Sequence, residues 1–208
     1  MLKKRTVFFL LAALLGGCTP VTPIVTPEQS TITSFTDSIL DSRCGTPCWI
    51  GIQAGVTNFE EAKNILSLRY GTNNVSTINK NDISWKAPSI DGLREGIILS
   101  TLDNTAGEIW LYPDKQANLS VERLLEILDE PTWVQVFGDP LDYCRGIGLI
   151  YSKAGVVVSL YDYENSIGVQ PAQGIFLIRI GGPRLTENWN AYDSILVKWD
   201  GYKDYCQE

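Results

Sequence analysis

Short runs of β-branched, aliphatic and aromatic residues, broken by turn-forming residues, constrain this chain more than any other feature. Residues 83–86, 97–100, 108–112, 133–137, 148–151, 156–161, 175–179 and 195–199 are too short for stable helices. They are rich in the residue types that suit a pleated backbone. Residues 103–107 (Asp-Asn-Thr-Ala-Gly) and 152–155 (Ser-Lys-Ala-Gly) supply the small and polar types that reverse a chain. Strands this close in sequence pair antiparallel, because a parallel pair needs a long crossover.

Two segments have helical spacing instead. Thr57 stands three residues before Glu60, as in a capping box, and Phe59, Ala62, Ile65 and Leu66 follow on one face until Tyr70-Gly71. After Leu119-Ser120, a second stripe of Val121, Leu124, Leu125 and Leu128 runs until Pro131 stops it. Offset by 62 positions, Phe59, Ala62, Ile65 and Leu66 fall on Val121, Leu124, Ile127 and Leu128. Two readings fit this match: a degenerate tandem repeat, or chance similarity of two amphipathic helices. The expected class is α+β, with helices packed on one face of an antiparallel sheet. The corresponding units are residues 35–118 and 119–208.

Composition excludes several functions. The 208 residues include no histidine, which removes histidine-based triads, histidine-liganded zinc or haem and the histidine pH switch. A net charge of −7 argues against nucleic acid as a partner. The N-terminus begins Met1-Leu2-Lys3-Lys4-Arg5 and continues into an apolar run from Val7 to Leu15. That run is the length of a secretory signal and too short for a membrane span of about 20 residues. Loss of residues 1–17 removes three of the 17 basic residues and no acid, leaving 14 against 24 and a net charge of −10. Such a charge keeps a domain soluble and sets it against anionic lipid headgroups. The remaining 191 residues (208 less the first 17) can bury about 70 % of the unfolded surface, enough for a sound core.

The run ends in Leu15-Gly16-Gly17-Cys18, which closely resembles the lipobox of bacterial lipoproteins. The resemblance implies cleavage after Gly17 and a diacylglyceryl thioether on Cys18. Residues 18–34 then form a tether: prolines at 20, 23 and 27 favour an extended chain of about 3.1 Å per residue. Two or more acyl chains, each CH₂ contributing about 0.8 kcal/mol, would anchor the domain.

The stretch Cys48-Trp49-Ile50-Gly51-Ile52-Gln53-Ala54-Gly55-Val56-Thr57, with Glu61-Ala62 and Ile65-Leu66 after it, looks like a segment of uncharacterised bacterial lipoproteins. It also resembles small outer-membrane assembly lipoproteins of the SmpA/OmlA type. Residues 125–131 are similar to the end of that family's helix, but Asp129 replaces its glycine, and no proline follows Tyr70-Gly71. The β-lactamase-inhibitor protein has two tandem units of similar plan. These resemblances imply a lipoprotein built of helix-and-sheet units and carry over no partner.

Four further cysteines, Cys44, Cys48, Cys144 and Cys206, form an even set in an exported domain, as two disulfides require. Glycine and proline between Cys44 and Cys48 suit a tight loop, leaving Cys144 to pair with Cys206. A long-range Cys48–Cys144 pair fits the count nearly as well. The spacing matches neither a thioredoxin-type redox motif nor paired zinc ligands.

No catalytic motif stands out. Glu60, Glu61, Glu122, Glu126, Asp129 and Glu130 lie on or near helices, where acids are ordinary dipole partners. Residues 139–142 and 162–165 are acidic turns without the EF-hand pattern. Gly146-Ile147-Gly148 lacks the third glycine of a nucleotide loop. Aromatics gather late in the chain: Tyr151, Tyr161, Tyr163, Trp189, Tyr192, Trp199, Tyr202 and Tyr205. Trp189 and Tyr192, in a polar stretch, are the candidates for exposed binding aromatics.

These readings make the chain an exported lipoprotein held by Cys18 to the outer face of a bacterial membrane. It is expected to be non-catalytic, to use no cofactor or metal, and to bind another envelope protein. The alternative is a module for cell-wall glycan or a small ligand. A carboxylate or thiol-redox enzyme stands behind both.

Overall fold

The computed structural model describes residues 38, 44–45, 47–79, 81–87, 92–117, 119–137, 146–160, 168–181 and 194–207. The segments expected to be a signal and a tether lie outside them with Cys18, as do Cys144, Trp189 and Tyr192.

A small hairpin opens the fold, with β1 (Cys48–Trp49) on β2 (Ile52–Gln53). Helix α1 (Phe59–Tyr70) follows, then β3 (Val75–Ile78), β4 (Asp82–Lys86), β5 (Leu93–Ser100) and β6 (Ala106–Pro113). Helix α2 (Val121–Leu128) leads into β7 (Trp133–Phe137), β8 (Gly146–Tyr151), β9 (Val156–Leu160) and β10 (Ile175–Gly181). The last strand is β11 (Ser194–Lys198). Strands β3 to β11 make one antiparallel sheet of nine, in the order β11-β7-β8-β9-β10-β6-β5-β4-β3.

That sheet corrects the expected class. The fold is mainly β: a nine-stranded sheet carries it, and the described residues hold two short helices. The α+β expectation gave two amphipathic segments the weight of a layer, whereas most of the buried apolar side chains sit on strands.

Each half of the chain reads helix, then four antiparallel strands in sequence order. The halves meet edge to edge where β10 pairs with β6, Ile180 opposite Ile109 and Arg179 opposite Trp110. The described residues from Ser38 onward belong to one compact unit.

Strand alternation sets the core. Ile83 and Trp85, Ile98, Ile109 and Leu111, Ile178 and Ile180, Val156 and Val158, and Leu149 point to one face and are buried. Phe59, Ala62, Leu66 and Tyr70 of α1, and Val121, Leu124 and Leu128 of α2, belong to the same buried cluster. Fully burying a side chain of this size contributes about 1.5–3 kcal/mol. Trp85 is central: its ring stacks on Trp49 at 5.3 Å and on Tyr70 at 6.3 Å. Opposite it stands Gly96, where a Cβ would overlap the indole.

Helix boundaries follow local chemistry, with one change of residue. Asn58, not Thr57, caps α1 by accepting from the Glu60 N–H at 2.9 Å. The Thr57 hydroxyl instead accepts from the Gln53 N–H at 2.8 Å and closes the loop before the helix. Ser120 caps α2 through the Arg123 N–H. Asp129 ends that helix at φ 61° and ψ −159°, a positive-φ conformation that favours glycine and strains a residue with a side chain.

Candidate functional site

The sheet's second face differs between the halves. Over β8 and β9 it is closed, with Ile150 and Val157 buried and Phe137 and Leu196 packed on them. Over β5, β6 and β10 it carries half-buried aromatic and charged side chains. Alternation on β6 buries Ile109 and Leu111 in the core and leaves Glu108, Trp110 and Tyr112 on the other side. Ile97 and Arg179 flank Trp110 across the strands, and Glu95 stands opposite Tyr112.

Two irregularities lie beside this group. The β5 register shifts between Leu93 and Glu95, and the β10 register shifts between Ile175 and Leu177. Such bulges re-aim side chains. Here Arg94 lies 5.8 Å from the Tyr112 ring centre, and Phe176 meets that ring edge-on at 5.9 Å. Arg94 also pairs with Glu95 at 2.9 Å. Arg179 lies over the Trp110 ring at 5.9 Å and reaches to 3.7 Å from the Glu108 carboxylate. That last separation is an ion pair but too long for a hydrogen bond.

Burial raises the Glu108 pKa above the usual carboxylate value, while Arg179 and the nearby Trp110 indole N–H pull it back in part. The indole N–H makes no hydrogen bond of normal geometry with any described residue. Burial also raises Tyr112, Glu95 adds to the rise, and Arg94 and Arg179 oppose it. The result is a row of guanidinium–aromatic contacts with acids at its margin, each member from a strand the core holds in place.

Among the described residues, those singled out from sequence do not converge. Cys44 and Cys48 form a disulfide with Cα atoms 5.9 Å apart. Cys206 is also disulfide-bonded, to a partner outside the described residues. Glu60, Glu61, Glu122, Glu126, Asp129 and Glu130 are exposed along the two helices and their ends. Tyr151, Trp199 and Tyr205 are buried, and Tyr202 is exposed. Trp199 stacks on Tyr205, whose hydroxyl donates to the Gly201 carbonyl at 2.8 Å and accepts from the Asp200 N–H. Trp199 and Tyr205 therefore pack and pin the C-terminal segment. The acidic turns at 139–142 and 162–165, and Tyr161 and Tyr163, lie outside the described residues. Among the described residues no three His, Cys, Asp or Glu side chains gather to hold a metal ion.

Sequence reasoning placed residues 108–112 on a strand but missed the site there. The signal was the parity of Glu108, Trp110 and Tyr112 against Ile109 and Leu111. No family model, no curated protein and no solved structure matches this chain.

Proposed function

We propose that this chain is a lipid-anchored, non-catalytic envelope protein that docks a protein partner through the second face of its sheet. The supporting observation is the row Arg94–Tyr112–Phe176 beside Arg179–Trp110. Tryptophan, tyrosine and arginine are the types that dominate binding energy at protein interfaces, since they bury large area and keep a polar tip. The guanidinium groups of Arg179 and Arg94 each take one face of Trp110 and Tyr112 from sugar stacking and extend the aromatic row with charged donors suited to a protein surface. The geometry therefore favours a protein over a glycan. The lipid on Cys18 keeps the domain at the membrane, and the resemblance of residues 15–18 to a lipobox supports that part.

In-cell crosslinking followed by mass spectrometry tests the reading, with three variants beside the native chain. Trp110→Ala and Arg179→Ala should each lose the dominant partner while remaining on membranes. Cys18→Ser should leave the membrane. A partner unchanged by both face variants would sink the docking reading, and a membrane-bound Cys18→Ser form would sink the anchor. Tryptophan fluorescence that shifts with glycan fragments but finds no protein partner would select the glycan alternative.

A further inference from the structure

The two halves end differently at their outer edges. In the second half, the first strand after the helix, β7, is covered by β11, paired from Ser194 opposite Phe137 to Lys198 opposite Trp133. In the first half, the strand in the same position is β3, and among the described strands the sheet ends there. The side chains follow suit: Val134 and Gln135 of β7 are buried, whereas Ser76, Thr77 and Ile78 of β3 are exposed. An outer strand presents main-chain N–H and C=O groups to whatever can pair with them. Natural edges are usually blunted by charge, proline or a bulge. Strand β3, Val-Ser-Thr-Ile, has no charge and no proline, pairs with β4 in unbroken register, and is rich in β-branched residues.

We propose that the β3 edge is a strand-addition site for an extended peptide segment of a partner protein. The segment lies antiparallel to Val75–Ile78, as β11 lies on β7. In β11, Ile195 and Val197 stand opposite Val136 and Val134 in register, Val197 packed against the core and Ile195 still exposed beyond it. An occupant of β3 accordingly places alternate β-branched or aliphatic residues beside Val75 and Thr77, which share the face of Trp85 and Ile83. Polar residues fall beside Ser76. Main-chain bonds supply affinity and the alternate side chains supply selectivity. A second copy of this chain is the weaker fit. Self-pairing of a four-residue strand buries far less than the roughly 1,200 Å² of a stable interface. This inference rests on the edge alone and does not depend on the aromatic face.

The probe is the β11 sequence as a blocked peptide, Ser-Ile-Leu-Val-Lys, titrated into the purified isotope-labelled protein. Amide shifts and slowed hydrogen exchange should appear at Val75–Ile78 and pass to β4. The same peptide N-methylated at alternate residues should bind about tenfold more weakly, as expected for losing one or two main-chain hydrogen bonds. Thr77→Pro should weaken binding with circular dichroism unchanged. Leu68→Asp, at an exposed apolar position near the far end of α1, should not, which controls for general stickiness. No change at β3 under saturating peptide would overturn the proposal, as would equal binding of the methylated peptide. Changes confined to Ser194–Lys198 would mean the probe displaces β11 and would also overturn it. Sedimentation showing a dimer abolished by Thr77→Pro would assign the edge to a second copy instead.

Discussion

The halves of this sheet share a plan and differ in closure. In the second half the outer edge carries an extra strand, and the second face is buried around Ile150 and Val157. In the first half the edge among the described strands is β3, and the second face presents Trp110, Tyr112 and Arg94, with Arg179 reaching over Trp110 from β10 of the other half. A helix followed by a four-stranded meander thus folds with or without those coverings. Where no such covering stands among the described residues, polar and aromatic residues replace aliphatic ones on the same parity. Compare Ile150 and Val157 in the second half with Glu108 and Trp110 in the first. The difference separates a half that stabilises from a half that presents surface.

Glycines give the largest contrast. Gly96 faces the Trp85 ring, which Trp49 and Tyr70 hold on other sides. Gly96→Ala should cost about 3 kcal/mol, because the indole has nowhere to move. In the second half a Cβ at Gly148 meets the Phe137 ring at 3.5 Å, an ordinary contact. Gly148→Ala should stay within about 1 kcal/mol of the native protein, with reduced unfolded-state freedom on its side. Urea titrations of the two variants check the pair, and equal losses would mean that the Trp85 slot is not rigid.

Next comes the second face itself. Ile150 is 1 % exposed, while Ile97 on the same face of the first half is only partly buried. Ile150→Ala should cost about 2–5 kcal/mol, as for a closed core position, and Ile97→Ala less than half of that. Thermal denaturation separates the two. A loss at Ile97 as large as at Ile150 would show both faces equally closed, and the docking reading would lose its basis.

How far the sequence revealed this contrast follows from which contacts are local. The runs around Ile83, Ile97, Trp110, Val134, Leu149, Val157, Ile178 and Leu196 marked themselves by residue type, and each lies on an observed strand. Strand β3 escaped because Val-Ser-Thr-Ile is short and mixes polar with apolar residues. Thr57 fits the cap pattern in sequence, a hydroxyl three residues before a glutamate. Asn58 accepts from that Glu60 N–H one position later and frees Thr57 for Gln53. The two helices shaped the expected class because their stripes are strong over short windows. The joining of all strands through β6 and β10 is a pairing between residues some seventy positions apart. The site was hidden for the same reason. Glu108, Trp110 and Tyr112 show their shared parity locally, but Arg179 reaches them only through that long-range register.

The smallest expected effect is electrostatic and belongs to the open half. Burial raises Glu108 more than Arg179 and the Trp110 N–H lower it, so the folded state binds the proton more tightly than the unfolded chain. Glu108 therefore adds stability that is fully present below the unfolded carboxylate value. It is lost as pH rises through the higher folded value and stays lost at neutral pH. Glu108→Gln removes the charge and keeps a polar group beside Arg179. Its melting temperature should lie above that of the native protein near pH 7, and the gap should close near pH 3.5. Full occupation of the face by a protein partner desolvates Glu108 further, so complex formation should take up protons between those limits. Calorimetry in buffers of different ionisation enthalpy reads that uptake, and Glu108→Gln should abolish it. A native complex that binds without proton exchange would place the partner away from Glu108, toward Phe176 and Arg94 at the other end of the aromatic row.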